Sequence, residues 1–375
     1  MGGANASGGN ILTGGISRLG GVGTTGGLPA TGGTSQVGGT TVSDAGPEVG
    51  SSTGGVDTGG ANNAMGGASG TGGTTGGTSI CPTGIVFPSP DLTGKATLVY
   101  QAPVNGTSGQ FEGAVWLADR SMLLYSDMAT GSTAPIVPAQ IMRLVPPNSV
   151  QVTIPDSGSN GLAVDGKGTV YACSHKVQGI VKVDVGAGTL TVIVDNIGGK
   201  KFNSPNDLVV RSDGTIYFTD PDFQLGSGRV SETGVKGVYR VSPAGQVTLI
   251  DGTFTQPNGV GLSPDETTLY VADYSKNTIF TFALAADGTP SGKKTFASVT
   301  GPDGMAVDCA GNVYFASNSA GVAQVFSRAG TKLGSVTVAP GMTNLAFGGP
   351  ERKTIYFTVG RSIYSLPMNL PGLPD

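Results

Sequence analysis

The sequence predicts an all-β protein, a six-bladed β-propeller that follows a disordered N-terminal arm rich in Gly, Thr and Ser. Three observations support this prediction. All 24 aromatic residues of the 375-residue chain lie beyond residue 80. Short apolar strands and Gly-containing turns repeat in six units between residues 111 and 368. No stretch of the chain shows the 3.6-residue apolar period of an amphipathic helix.

Residues 1–80 contain 28 of the 65 Gly residues, no aromatic residue and only four charged side chains. Such a segment cannot bury enough apolar surface to offset the entropy that is lost when a chain becomes ordered. Its Gly residues also lack the strict third-residue spacing of collagen. We therefore expect residues 1–80 to form a flexible low-complexity arm and residues 81–375 to form the folded propeller.

Each repeat unit consists of a polar turn, a short apolar strand, a Gly-containing turn and a second strand that ends in small or acidic residues. Successive units are 48, 46, 52, 45 and 41 residues apart. The positions aligned for this count are Gly113, Gly161, Asp207, Gly259, Gly304 and Leu345. Periods of this length with several short strands are typical of four-stranded propeller blades. A strand at 95–100 precedes the first unit, and we expect it to complete the last blade and close the ring.

The first strand of each blade lines the central channel of a propeller, so the residues that open the six units should meet at its axis. These residues are Glu112, Asn160, Asn206 (or Asp207), Asn258, Asp303 and Asn344. They offer carboxylate and carboxamide oxygens but neither sulfur nor imidazole. Ca²⁺ prefers such ligands, with Mg²⁺, Mn²⁺ or Zn²⁺ as alternatives. Asn and Asp before Gly are also ordinary turn residues, but their recurrence at equivalent places favours a metal site.

Composition argues against several other classes of function. A formal net charge of −4 gives no electrostatic footprint for a nucleic acid. No run of the chain approaches the 18 apolar residues of a membrane-spanning helix. His175 is the single histidine, which excludes every multi-histidine metal site. The sequence does not indicate an oligomeric state.

Four segments carry a resemblance to a known family. They are Glu112-Gly-Ala-Val-Trp116, Asn203-Ser-Pro-Asn-Asp207, Gln256-Pro-Asn-Gly259 and Pro302-Asp-Gly-Met305. In this order and spacing, residues 95–368 resemble the senescence-marker-protein, gluconolactonase and luciferin-regenerating-enzyme propellers, and the bacterial gluconolactonase-like branch in particular. The resemblance implies a Ca²⁺-type site formed by Glu112, Asn258 and Asp303. It also implies that Asn206 contacts substrate or completes the metal shell.

The sequence departs from the family pattern at two positions, one in a turn of the first unit and one that is expected to contact substrate. Ala114 stands where relatives usually have Pro, which we expect only to adjust the turn. Lys201 stands where relatives often have Arg, so a forked guanidinium is replaced by a point charge. We expect Lys201 to bind substrate. His175 matches a family element near the channel mouth and is a further substrate-binding candidate; the alternative is a loop histidine with a backbone partner.

The low-complexity arm and the cysteines give indications about the cellular compartment of the protein. The given N-terminal residues include no basic region followed by an apolar segment, and hence no signal peptide. Gly/Thr/Ser spacers of this kind commonly tether periplasmic or cell-surface domains, so we expect an exported protein, with a cytoplasmic location as the alternative. In an oxidising compartment Cys81 and Cys309 can pair across the closure of the ring, while Cys173 is expected to be a buried strand residue.

The resemblance and the oxygen donors together predict a divalent-metal-dependent lactonase whose partner is a small-molecule lactone, with gluconolactone as the default substrate. Asp303 is the candidate for both metal ligand and general base. Three alternatives stay open: phosphotriesterase-like hydrolysis at the same metal site, a non-enzymatic propeller that binds a ligand or a protein, and a metal with a purely structural role.

Overall fold

The computed structural model describes residues 81–104, 109–129 and 136–374. The arm expected at residues 1–80 lies outside these ranges. The described chain forms a series of β-strands and one 3₁₀ helix at Ala118–Arg120. No helix in these ranges has the length and apolar character needed to cross a membrane.

Six four-stranded sheets follow one another along the chain. Taken from the axis outwards, the first blade consists of β2 (Gln110–Leu117), β3 (Met122–Met128), β4 (Ala139–Val145) and β5 (Ser149–Ile154). The second consists of β6 (Ser159–Val164), β7 (Val170–Ser174), β8 (Gly179–Asp184) and β9 (Thr189–Val194). The third consists of β12 (Leu208–Val210), β13 (Ile216–Asp220), β14 (Gly237–Val241) and β15 (Val247–Asp251). The fourth blade consists of β16 (Pro257–Leu262), β17 (Thr268–Asp273), β18 (Thr278–Leu284) and β19 (Pro290–Ser298). The fifth consists of β20 (Pro302–Val307), β21 (Val313–Ser317), β22 (Val322–Phe326) and β23 (Lys332–Thr337). The sixth consists of β24 (Met342–Gly348), β25 (Thr354–Val359), β26 (Ser362–Pro367) and β1 (Thr97–Gln101). A two-stranded ribbon, β10 (Asn196–Ile197) and β11 (Lys200–Lys201), precedes the third blade.

The last blade combines both ends of the folded chain. Strand β1 pairs antiparallel with β26, so that Thr97 lies opposite Ser365 and Gln101 opposite Ser362. The sixth sheet therefore has the order β24, β25, β26, β1. This pairing confirms the predicted six-bladed propeller and the closure of its ring by the strand before the first unit.

The core lies between the blades. The innermost strands are buried along both faces because each is covered by the sheets on either side, whereas the outermost strands alternate exposed and half-buried residues. Val115 of the first blade, for example, packs in one cluster with Leu162 and Ala172 of the second. Interlocking of this kind repeats around the ring and fixes the position of each inner strand.

Two glycines show how closely the inner strands approach one another. A Cβ atom on Gly113 would lie 2.3 Å from the Asn160 carbonyl oxygen, and one on Gly259 would lie 2.2 Å from the Asp303 carbonyl oxygen. Backbone of one blade thus touches backbone of the next, and only glycine fits there. The side chains beside these glycines are consequently held at fixed places around the axis.

The segment before β1 and the C-terminal tail are fastened together on the ring. Cys81 forms a disulfide with Cys309, with 5.4 Å between their Cα atoms. The Leu373 N–H donates to the Val307 carbonyl at 2.8 Å. Cys173 is a buried free thiol in β7, as expected. Both ends of the described chain thus lie near the carboxyl end of β20.

Candidate active site

The residues that open the inner strands lie together at one end of the channel. Each keeps between 2 and 7 % of its surface exposed. They are Glu112, Asn160, Asn206, Asn258, Asp303 and Asn344. Hydrogen bonds join successive blades at this level: the Gly161 N–H donates to the Asn206 carbonyl at 2.7 Å, and Thr343 Oγ1 donates to the Phe111 carbonyl at 2.6 Å.

Three buried carboxyl groups, those of Glu112, Asp207 and Asp303, form what we call the carboxylate cluster. Loss of solvation and the charge of Asp303 raise the pKa of Glu112 well above its ordinary value. Loss of solvation, together with the charge of Asp207, raises the pKa of Asp303 to about 7, and loss of solvation also raises the pKa of Asp207 to about 7. These shifts show that the cluster holds negative charge only at a cost in free energy.

Neutral amides, rather than cationic side chains, hold the cluster in place. Gln110 Nε2 donates to Glu112 Oε1 at 2.9 Å, and Asn318 Nδ2 donates to Asp303 Oδ2 at 3.2 Å. The Asn258 carboxamide approaches Asp303 closely enough to lower the pKa of its carboxyl group. Within the described ranges, no Lys or Arg forms an ion pair with a cluster residue.

Asp207 belongs to the cluster because its charge raises the pKa of both Glu112 and Asp303. Its Oδ1 accepts the Leu208 N–H at 3.0 Å, and a Cβ on Gly161 would lie 2.5 Å from the same oxygen. From the repeat pattern, Asp207 was only an alternative to Asn206 at this position. The structure places both residues at the axis, Asn206 just before Asp207.

The donor set fits a hard divalent cation. Carboxylate and carboxamide oxygens lie together here, and no basic side chain of the described residues pairs with them. A hard divalent cation would relieve the mutual repulsion of the carboxylates. Across the part of the chain that the structure describes, no group of three or more His, Cys, Asp and Glu side chains is arranged to hold a metal ion. A cation at the axis would accordingly be held by Glu112 and Asp303 together with the carboxamide of Asn258.

Lys201 does not join the cluster. It lies on β11 of the ribbon, where its ammonium group forms an ion pair with Asp195 and its N–H donates to Glu232 at 2.9 Å. Its side chain is 40 % exposed. The motif that contains Lys201 does not indicate its pairing with Asp195. A role for Lys201 toward substrate stays a prediction.

His175 is fully buried beside the second blade. Its Nε2 lies 2.7 Å from the Val137 carbonyl oxygen, so Nε2 carries the proton and donates. Burial lowers the pKa of the imidazole, which keeps it neutral. The Arg229 guanidinium donates to the His175 carbonyl at 2.8 Å. This contact is the one expected of a loop histidine with a backbone partner, and a role for His175 toward substrate stays a prediction.

Gln110 and Asn318 are contacts that sequence reasoning missed. Asn318 directly follows β21, and Ser317 lies opposite Pro302 in the β20–β21 pairing. The Asn318 N–H donates to the Gly301 carbonyl at 3.1 Å, so the antiparallel register carries the backbone of Asn318 past Pro302 and away from Asp303. Its side chain reaches back to Asp303, a contact that register alone does not predict.

A cavity of about 660 Å³ opens at the other end of the channel. Apolar residues beyond the strand openings, such as Leu162, Val260 and Met305, form part of its lining. Charged residues such as Asp165, Arg211 and Asp213 form another part, and Leu373 of the C-terminal tail borders it. Asp207 and Asn344 also line it, so its floor reaches the cluster. Because Glu112, Asn258 and Asp303 do not line this cavity, we place the candidate site at the opposite, strand-opening end.

Comparisons with known proteins agree with this architecture. Residues 111–361 match the family described as the SMP-30/Gluconolactonase/LRE-like region. A gluconolactonase from Zymomonas mobilis is 33 % identical over 275 residues, which cover 67 % of this chain and 76 % of that protein. A pentonolactonase from Haloferax volcanii is 25 % identical over 254 residues, covering 66 % of this chain and 80 % of that protein.

A solved structure of a gluconolactonase from Xanthomonas campestris has a TM-score of 0.64 and 29 % sequence identity. The match covers 74 % of this chain and 90 % of that chain. The family match spans the same inner strands that carry the carboxylate cluster. The chain belongs to the SMP-30/gluconolactonase/LRE-like family, as its four motifs predicted.

Proposed function

We propose that this protein is a divalent-metal-dependent lactonase, a hydrolase that opens the ring ester of a small lactone. The observation that carries the proposal is the cluster of three buried carboxyl groups, held by neutral amides at the mouth of a propeller. Relatives of this chain include a gluconolactonase and a pentonolactonase, so a sugar lactone is the first substrate to test.

The chemistry of the donor set favours Ca²⁺, with Mg²⁺, Mn²⁺ and Zn²⁺ to be compared with it. Glu112, Asn258 and Asp303 would hold the ion. When bound, a divalent cation at such a place polarises an ester carbonyl and lowers the pKa of water. The burial of all three residues supports this role because carboxylates withdrawn from water gain most from a cation.

Asp303 is the group best placed to move a proton. Its carboxylate is buried at the axis and held by the neutral amide of Asn318, and as a general base it would accept a proton from the attacking water. Water then adds to the carbonyl carbon, the bond from that carbon to the ring oxygen breaks, and the ring oxygen leaves with a proton from Asp303. The product is an open-chain hydroxy acid. Asn206 would orient the substrate through neutral hydrogen bonds.

The test is a proton-release assay of the purified full chain against δ-gluconolactone, an aliphatic lactone and a phosphotriester. Each substrate is offered with EDTA and with each of the four cations. We expect the protein to hydrolyse the lactone faster than buffer alone, and we expect EDTA to abolish this excess rate. Glu112→Gln should bind the cation more weakly than wild type. Glu351→Gln, an exposed change of the same chemistry, is the matched control.

The alternatives give other results in the same assay. Hydrolysis of the phosphotriester without hydrolysis of either lactone would show that the site is phosphotriesterase-like. Metal binding without turnover of any substrate would favour a ligand-binding propeller or a structural metal. Lactone hydrolysis that persists unchanged in EDTA would contradict the metal requirement.

We also propose export to an oxidising compartment. The Cys81–Cys309 disulfide supports this because such bonds persist mainly in oxidising environments. The test is maleimide labelling of protein freshly denatured from cells. One reactive thiol, that of Cys173, is expected; three reactive thiols would contradict the proposal.

A further inference from the structure

The sixteen residues 221–236 form the loop that connects β13 to β14 in the third blade. They touch both neighbouring blades. Gln224 Oε1 accepts a hydrogen bond from Asn160 Nδ2 of the second blade at 3.3 Å. Asp222 Oδ1 accepts one from Gln256 Nε2 of the fourth blade at 2.8 Å. Since Asn160 and Gln256 both lie at the strand openings, residues 222–224 lie at the rim of the candidate site.

The start of this loop is fixed from below. Ser204, fully buried, donates its hydroxyl to the Pro221 carbonyl at 2.8 Å and accepts the Gln224 N–H at 3.2 Å. Lys236 forms an ion pair with Asp222 at 2.9 Å. The charge of Asp222 is thereby balanced within the loop itself. The rim segment is thus held in one place rather than free to adapt to any ligand.

An aromatic pair stands beside the carboxylate cluster on the same rim. Phe223 is 41 % exposed, and its ring meets that of Tyr274 edge to face, with 5.8 Å between the ring centroids. Tyr274 directly follows β17 and lies near Asp303, whose charge adds to the effect of burial in raising the pKa of the phenol. A large apolar ring is therefore displayed to solvent at a place that the surrounding structure fixes.

The polar group next to this pair is a free hydrogen-bond donor. Gln224 Nε2 donates to no residue in the described ranges, while the Oε1 of the same side chain is engaged by Asn160. Of the two cationic side chains in the loop, Lys236 pairs with Asp222, and Arg229 donates to the His175 and Lys176 carbonyls rather than into the rim. The rim thus offers neutral hydrogen bonding and an aromatic surface, a combination that suits a neutral ring bearing hydroxyl groups on one face and C–H groups on the other.

We propose that Phe223, Gln224 and Tyr274 form a specificity wall that selects neutral polyhydroxylated lactones over unsubstituted aliphatic lactones. The proposal rests on the proposed lactonase function and assigns the choice of substrate to residues outside the metal-binding set. Gln224 would donate to a ring hydroxyl, and the two aromatic rings would pack on the C–H face. A site built to hydrogen-bond a hydroxyl discriminates strongly against an analogue that lacks it.

The kinetic test compares δ-gluconolactone with δ-valerolactone, which has the same six-membered ring without hydroxyl groups. We expect Gln224→Ala to raise KM for δ-gluconolactone about tenfold, the value of one hydrogen bond, and Phe223→Ala to raise it about fivefold. For Gln224→Ala, kcat for δ-gluconolactone and both constants for δ-valerolactone should change by less than twofold. Phe223→Ala should also raise KM for δ-valerolactone, because the C–H groups of that ring pack on the same aromatic surface. Val230→Ala, an exposed change in the same loop, is the matched control.

A binding measurement keeps this proposal separate from the proposed function. Calorimetry with 1,5-anhydroglucitol, a polyhydroxylated ring without an ester, needs no turnover. We expect wild type and Val230→Ala to bind it alike and Gln224→Ala to bind it about tenfold more weakly. Binding of 1,5-anhydroglucitol with this difference between variants, but without lactone hydrolysis, would contradict the proposed lactonase function and support the specificity wall. Lactone hydrolysis with the same KM in Gln224→Ala, Phe223→Ala and Val230→Ala would overturn the wall and keep the function.

Discussion

At the scale of the residue, the main feature is a set of buried like charges with which no Lys or Arg of the described ranges forms an ion pair. Burial raises the pKa of all three carboxyl groups, those of Glu112, Asp207 and Asp303. The charges within the cluster raise the pKa values of Glu112 and Asp303 further. Such an arrangement opposes folding unless protons or a cation neutralise it. Its persistence at the axis is understandable if the cost serves binding and catalysis rather than stability.

This cost predicts how stability depends on pH in the metal-free protein. The carboxyl of Asp303 has an ordinary pKa of 3.8 and a pKa of about 7 in the folded state. Between these values the folded chain binds more protons than the unfolded chain, so the free energy of unfolding falls as pH rises. In EDTA, calorimetry should show a Tm at least about 5 °C lower at pH 8 than at pH 5.

Saturating Ca²⁺ should remove most of this decline because the cation takes the place of the protons. Asp303→Asn, which lacks one of the titrating groups, should show a smaller decline in EDTA. A Tm in EDTA that is equal at pH 5 and pH 8 would contradict the charge description of the cluster.

At the scale of the element, the inner strands are positioned by backbone contact between blades. Gly259 is an example: a Cβ there would lie 2.2 Å from the Asp303 carbonyl oxygen and 3.0 Å from the Gly304 Cα. Both atoms belong to the backbone and cannot move aside without shifting β20. The position of Asp303 thus depends on the absence of a side chain in the neighbouring strand.

We therefore expect Gly259→Ala to destabilise the fold by about 3 kcal/mol, the upper range for overpacking. Chemical unfolding measures this change. Gly166→Ala is the matched control because a Cβ at that position meets nothing within 4 Å. Equal stability of the two variants would show that the inner strands can separate without cost.

The same scale explains what the sequence could predict. Each unit opens on a residue that one repeat period places at the axis, so Glu112, Asn258 and Asp303 were identifiable from order and spacing. The contacts of loop 221–236 were not, because they join different blades and depend on how a long loop folds back. Lys201 was assigned from its motif, whereas its partner Asp195 lies across a two-stranded ribbon that the repeat pattern does not indicate.

At the scale of the whole molecule, the ring is closed by a strand from the start of the folded region. Strand β1 completes the sixth sheet, and Cys81 attaches the preceding segment to Cys309. The residue at which the described chain starts therefore lies beside the fifth blade, away from the strand openings that carry the cluster. Residues 1–80 are expected from composition to contribute no core.

Two truncations test this view of the ring. Removal of residues 1–80 should leave the Tm within about 2 °C of the full chain, because no core is lost. Removal of residues 1–101 deletes β1 and the disulfide, exposes the edge of β26, and should lower the Tm by more than 10 °C. A clear loss of stability in the first truncation would show that the arm belongs to the folded protein.

The central claim is that the carboxylate cluster is a hydrolytic site in which Asp303 moves a proton. The most direct measurement is the kcat of Asp303→Asn for δ-gluconolactone at a cation concentration shown by calorimetry to be saturating. Asn keeps an oxygen ligand but cannot accept the proton, so kcat should fall by roughly 10²–10⁴-fold while the fold persists. A variant with full metal occupancy and a kcat near that of wild type would contradict the claim.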